Sequence, residues 1–167
     1  YNLTAIHFTT DRIGFIAGDR GLIMKTTDGG NTWNIVNEPS TTFNINAMTF
    51  VNSELGYAVG QNGNMLKTVN AGQTWTAVET GTSNHLLDVE FAGVNNGYAI
   101  GKRGTILNTT DGGASWSVLN ANTFVDLNSI YFTDANTGYI AANGAIFKTV
   151  NGGQTWTTSY NEQTKNF

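Results

Sequence analysis

Apolar and polar positions alternate along this chain in short runs, and nowhere in helical steps. Leu3 to Phe8, Ile45 to Phe50, Leu86 to Phe91 and Leu127 to Phe132 each show the period-two pattern of a half-buried strand. A short polar turn follows each run and ends in Gly14, Gly56, Gly97 or Gly138. Next come a short second strand rich in small residues (Phe15-Ile16-Ala17, Tyr57-Ala58-Val59, Tyr98-Ala99-Ile100, Tyr139-Ile140-Ala141) and a glycine-bounded hairpin. A third strand, a sharp corner and a fourth strand complete the unit. The pattern predicts four strands per repeat, written four times, with no helix.

The corner is the most regular stretch. It reads Thr26-Thr27-Asp28-Gly29-Gly30-Asn31-Thr32-Trp33 in the first repeat, and the same frame recurs at Thr68–Trp75, Thr109–Trp116 and Thr149–Trp156. All four tryptophans, Trp33, Trp75, Trp116 and Trp156, sit at its end, at steps of 42, 41 and 40 residues. A fixed period of this size signals a repeat architecture. Asp28, Asn70, Asp111 and Asn151 place a short acceptor where backbone N–H groups a few residues on reach it. Gly30, Gly72, Gly113 and Gly153 allow positive φ. The indole then buries an apolar face against its own repeat, so truncating Trp75 is expected to cost roughly 3–5 kcal/mol.

The frame Ser/Thr-x-Asp-x-Gly-x-Ser/Thr-Trp resembles the Asp-box of BNR repeats. The wider repeat, from the first-strand Phe through Gly-Tyr/Phe and the hairpin to Thr-Trp, is most similar to the Ycf48-like group of photosystem II assembly factors. The resemblance covers nearly the whole chain. It implies an all-β fold, a β-propeller of four-stranded antiparallel blades, as a single domain over 1–167 with repeats at about 1–37, 43–79, 84–120 and 125–160. Phe8, Phe50, Phe91 and Phe132 would then lie in the core between blades. A four-bladed ring, part of a larger propeller and a half-ring paired with a second copy all remain open. Asn in place of Asp at Asn70 and Asn151 keeps the acceptor and loses the charge, which argues against a metal-binding or catalytic carboxylate at the corner.

Composition narrows the function. Charged residues are 12% of the chain and the formal net charge is −4, so no basic stripe is available to neutralise nucleic-acid phosphates. There is no cysteine, so no disulfide framework or thiolate metal site, and the two histidines lie far apart; neither a metal nor another cofactor is expected. No run approaches the roughly 20 apolar residues of a membrane-spanning helix. The abundance of Asn, Thr, Ser and Gly, with a chain beginning at Tyr1, reads as a mature or excised segment of a bacterial protein that is secreted, periplasmic or held at the cell surface.

Candidate site residues are those where the repeats disagree, because packing alone would repeat the same residue. The hairpins carry Arg20, Lys102 and Arg103, which could receive a carboxylate or an acidic partner, or could be solvated turn residues. The first strands carry His7, Thr49, Glu90 and Tyr131 at one level, with Asp88 two residues before Glu90. Paired carboxylates drive glycoside hydrolysis, although neighbours on one strand rarely reach the separation it needs. The links between repeats carry Phe43, His85 and Phe124, as exposed aromatics for stacking on a sugar or anchoring a partner, or as apolar caps.

The function expected from these features is a non-catalytic interaction or scaffold module that binds a protein partner or assembles with itself. The alternative is a glycan-binding propeller. A sialidase-like hydrolase is less favoured, because that family clamps its substrate carboxylate with three arginines. This chain has only Arg12, Arg20 and Arg103, and Arg12 falls on the corner side of its repeat.

Overall fold

The computed structural model describes residues 1–37, 43–119 and 121–161; residues 38–42, within the first link, lie outside it. Among the described residues sixteen strands form four antiparallel sheets, each in simple sequence order. The first sheet is β1 (Leu3–Phe8), β2 (Gly14–Gly18), β3 (Ile23–Thr26) and β4 (Asn34–Asn37). The second is β5 (Ile45–Phe50), β6 (Gly56–Gly60), β7 (Met65–Thr68) and β8 (Thr76–Val78). The third is β9 (Leu86–Phe91), β10 (Gly97–Gly101), β11 (Ile106–Thr109) and β12 (Ser117–Leu119). The fourth is β13 (Leu127–Phe132), β14 (Gly138–Ala142), β15 (Ala145–Thr149) and β16 (Thr157–Asn161). Contacts divide the chain into two compact units, 1–86 and 87–167.

Within each sheet the first-strand phenylalanine folds over the glycine that opens the second strand. A methyl group on Gly14, Gly56, Gly97 or Gly138 would lie 2.6–2.7 Å from the ring of Phe8, Phe50, Phe91 or Phe132. The indole then meets that ring edge-on, with Phe8–Trp33, Phe50–Trp75 and Phe91–Trp116 all at 86–88°. The tryptophans are therefore half-buried wedges at the end of the corner, and the fourth strand begins only after them.

The corner is locked by side chains. Thr26 Oγ1 accepts the Gly30 N–H at 2.9 Å and donates to Asp28 Oδ1 at 2.8 Å. Asp28 in turn accepts the Thr32 N–H and hydroxyl, at 2.9 and 2.6 Å. The Asn corners keep the same bonds by reversing one. Asn70 Oδ1 accepts from Thr74 N–H at 3.0 Å, while its Nδ2 donates to Thr74 Oγ1 at 2.9 Å. The carboxylate is thus dispensable to the geometry, as the Asp/Asn exchange suggested.

The four donors on Asp28, led by the Thr32 hydroxyl, hold its pKa down at about 2, and Asp111 is lowered by the equivalent Ser115 contacts. A depressed folded pKa gives stability that is present above the usual carboxylate range and lost as pH falls through about 2. We therefore expect thermal stability to fall between roughly pH 4 and pH 2. Asp28→Asn combined with Asp111→Asn should flatten that fall, and melting curves across this window check it.

Neighbouring sheets inside each unit join through one aromatic of the second strand. In the first unit Phe15, fully buried, stacks on Phe50 at 4.4 Å and covers Gly72, where an added methyl group would overlap its ring. Lys25 lies over Phe15 and donates to the Ala71 carbonyl at 2.7 Å. In the second unit Tyr98 stacks on Phe132 at 5.2 Å, covers Gly153 in the same way, and donates its hydroxyl to the Gly152 carbonyl. Each joint is thus a knob set into the next sheet's corner. The corner glycine serves two needs, a left-handed backbone (φ +71 at Gly72) and room for the ring. The interior around these joints includes Ala17, Ile23 and Ile45 in the first unit and Ile100, Ile106 and Ile140 in the second.

Of the four phenylalanines expected between sheets, Phe50 and Phe132 occupy such joints. Phe8 is instead 41% exposed, and its ring meets its own repeat's Trp33 edge-on at 6.1 Å.

Candidate functional site

The hairpins between second and third strands lie at the end of each sheet away from the corners. In the first three sheets they share one geometry. Arg20 and Gly21, Asn62 and Gly63, and Arg103 and Gly104 all adopt positive φ, between 57° and 76°, as a two-residue I′-type hairpin requires. The backbone N–H of the first of each pair is clasped by the residue that precedes the next first strand. Arg20 N donates to Asn44 Oδ1 at 3.0 Å, Asn62 N to His85 Nδ1 at 3.1 Å, and Arg103 N to Asp126 Oδ1 at 3.0 Å.

This geometry sorts the cationic candidates. Lys102 is bonded to Asp126 at 2.8 Å, and that bond, with the Arg103 N–H, lowers the Asp126 pKa. Its charge is spent inside the clasp. Arg20 and Arg103 are exposed, and their guanidinium groups make no hydrogen bond or ion pair among the described residues. Both stand in the left-handed region, where Asn or Gly is the comfortable choice and Arg costs on the order of 1 kcal/mol. Asn62 fills the same position without that cost.

The link aromatics separate as well. Phe43 is 6% exposed and packs in the first unit's core, so it cannot serve as the exposed anchor expected of it; it is an apolar cap. His85 is exposed, with Nδ1 occupied by the clasp. Phe124 is 92% exposed. Its neighbour Thr123 presses its carbonyl against Gly104, so Phe124 and Arg103 are both carried by backbone meeting at this one hairpin.

The first-strand set is less coherent. His7 lies 5.4 Å from Phe50, and burial lowers its pKa; Thr49 is buried, and Tyr131 is 63% exposed. Asp88 is committed to structure, accepting the Val89 N–H at 2.8 Å and the Ser129 hydroxyl and Ile130 N–H at 2.9 Å. Glu90 makes no hydrogen bond among the described residues, and burial, with the Asp88 charge behind it, pushes its pKa up to about 7. A carboxylate saturated by three donors beside an unsupported carboxyl is not an acid–base pair across a substrate bond. A raised folded pKa gives stability that is present below the usual Glu range and lost as pH rises through about 7. Glu90→Gln should therefore raise the melting temperature near pH 7.5 and leave it unchanged near pH 4, which calorimetry at both values checks.

Arg12 and Arg20 stand at opposite ends of one sheet. The Arg12 carbonyl accepts the N–H of Gly29 in the corner, at the opposite end of β2 from Arg20. Among the described residues no His, Cys, Asp and Glu cluster could hold a metal ion, and no helix is long and apolar enough to cross a membrane.

Comparison with known proteins decides the family. A family model described as photosynthesis system II assembly factor YCF48 matches residues 1–82 and 73–165. The chain belongs to this family. Solved structures agree on the fold. One of YCF48 bound to a D1 peptide aligns with TM-score 0.61 at 16% identity, over 94% of this chain and 82% of that one. YCF48 from Cyanidioschyzon merolae aligns with TM-score 0.72 at 22% identity, over 93% of this chain and 55% of that one. The GH74 enzyme of Niastella koreensis aligns with TM-score 0.78 at 20% identity, over 99% of this chain but only 31% of that one. The chain thus spans about half the length of the Cyanidioschyzon protein and under a third of the GH74 enzyme. No match is found among curated proteins. At these identities the structural likeness establishes the β-propeller fold with four-stranded antiparallel blades, and the family is described as one of assembly factors.

Proposed function

We propose that this protein is a non-catalytic binding module that docks an acidic segment of a protein partner on its hairpins. The observation that carries the reading is Arg103. It holds a strained left-handed position, its guanidinium is unengaged among the described residues, and Phe124 stands 92% exposed from the adjoining link. An arginine beside an exposed aromatic supplies a carboxylate fork and an apolar anchor, the residue types that dominate binding hot spots. Family membership supports a protein partner, and so does the solved structure of YCF48 bound to a D1 peptide. The photosystem role itself is not carried over to this acidic chain. The low-charge, Asn- and Thr-rich surface supports a setting outside the cytoplasm.

Arg103→Asn tests this, because fold and function should move in opposite directions. The change relieves the left-handed strain, so stability should rise by about 0.5–1 kcal/mol. Titration calorimetry at low salt with a library of short peptides bearing Asp, Glu and apolar residues should show binding that weakens at least tenfold in Arg103→Asn and in Phe124→Ala. Peptide binding untouched by both changes would overturn the reading. Binding to a glycan array that Phe124→Ala abolishes would replace the peptide with a saccharide.

A further inference from the structure

The joint that links sheets within each unit has both of its halves left over. The knob recurs on the fourth sheet. Tyr139 occupies the position of Phe15 and Tyr98, and Lys148 lies 5.5 Å over its ring as Lys25 lies 5.3 Å over Phe15. Phe15 and Tyr98 are 0% and 3% exposed under their joints, whereas Tyr139 is half-exposed. Ile146, on the same face, is 40% exposed, while its counterparts Ile23 and Ile106 are 0% and 1%. The hole recurs on the first sheet. Gly30 occupies the position of Gly72 and Gly153, but the side chains nearest a methyl group added there are its own repeat's Trp33 and Phe8, at 3.7 and 3.9 Å. Ile6 is 63% exposed there, while its counterparts Met48 and Ile130 are 8% and 4%.

We propose that the fourth sheet of one copy docks on the first sheet of a second copy through this same joint. Tyr139 would cover Gly30 and stack on Phe8. Either its hydroxyl, as in Tyr98, or the Lys148 ammonium, as in Lys25, would donate to the Gly29 carbonyl, the equivalent of Gly152 and Ala71. The occupant is a copy of this chain because the chain already builds the joint twice, once in each unit, from a second-strand aromatic set over a corner glycine in the same register. The contact is heterologous, a different face from each partner, so it closes a ring of copies or continues as a chain of them. It is separate from the hairpins and does not depend on the reading above.

Sedimentation equilibrium over a range of concentrations tests it with two variants. Tyr139→Ala combined with Lys148→Ala removes the knob, and Ile6→Asp spoils the hole. The wild type should show a mass of two or more chains at high concentration. Each variant alone, still folded by circular dichroism, should bind its own kind at least tenfold more weakly. An equal mixture of the two should recover one joint and a two-chain mass, because the intact knob of one meets the intact hole of the other. A wild type that stays at single-chain mass at its highest soluble concentration overturns the proposal, as do variants that associate like the wild type or a mixture that gains nothing. Should a variant misfold, a benzophenone amino acid at position 139 of the otherwise unchanged chain serves instead. With mixed isotope-labelled and unlabelled protein it should crosslink to the 26–33 peptide of the other label. Crosslinks confined to one label would show the chain closing on itself and would likewise overturn the proposal.

Discussion

Gly72→Ala is expected to lower stability by about 3 kcal/mol, a large loss for one methyl group. Two costs add. The backbone at Gly72 has φ +71, where a Cβ costs about 1–2 kcal/mol. The methyl group would also overlap the ring of Phe15, which is fully buried and held by its stack on Phe50, so the ring has nowhere to go. Overpacking of this kind adds about 1–3 kcal/mol. Gly81 supplies the control. Its φ is +72, and nothing lies within 4 Å of its Cβ position. Gly81→Ala should therefore show the backbone cost alone, about 1 kcal/mol. Urea denaturation of both variants measures the difference. Equal losses would mean that the Phe15 ring yields at no cost.

Trp75→Ala should cost about 3 kcal/mol, the lower end of the range for a truncated aromatic. The indole meets Phe50 edge-on at 5.9 Å and packs beside the first unit's core, so its loss opens a void under the corner. Two features hold the figure down. Trp75 is only half-buried, and its Nε1 is buried without a hydrogen-bond partner among the described residues, so truncation also removes an unsatisfied donor. Trp33 differs, because its Nε1 donates to the Gly30 carbonyl at 3.1 Å. Chemical denaturation reads the loss, and a value below about 1 kcal/mol would show that the wedge carries little of the fold.

Much of the blade was legible because each fixed residue of the repeat answers a local need. The corner Thr, Asp or Asn, and Gly are demanded by hydrogen bonds within eight residues of sequence, as Thr26 to Gly30 and Asp28 to Thr32 show. Period-two alternation likewise marked the first strands. What the pattern concealed is what one sheet asks of another. Nothing local says that Gly72 makes room for Phe15, fifty-seven residues earlier, or that Lys25 reaches the Ala71 carbonyl. The inter-sheet clasp was equally hidden. Asn44, His85 and Asp126 share no chemistry except an acceptor, so a repeat alignment shows them as disagreement when they perform one task.

The candidate site was less legible for the same reason. Arg20, Lys102 and Arg103 look alike in sequence, and only geometry shows that Lys102 is spent on Asp126 while the two arginines occupy left-handed backbone. Phe43 and Phe124 occupy similar links, yet one is buried in the core and the other stands in solvent. Amide and hydroxyl side chains that bond across sheets leave no periodic trace. In sequence Asp88 could be half of a carboxylate pair, and only its three donors, two of them from the next sheet, commit it to structure.

At the root of the account lies a pairwise event: an aromatic ring from one sheet fills the space that a missing side chain leaves in the next sheet's corner. A double-mutant cycle on Phe15 and Gly72 reads this directly. With Phe15→Ala already made, Gly72→Ala should cost only its backbone term, about 1 kcal/mol, leaving a coupling of about 2 kcal/mol between the two positions. Losses that simply add, within about 0.5 kcal/mol, would mean that ring and glycine do not meet.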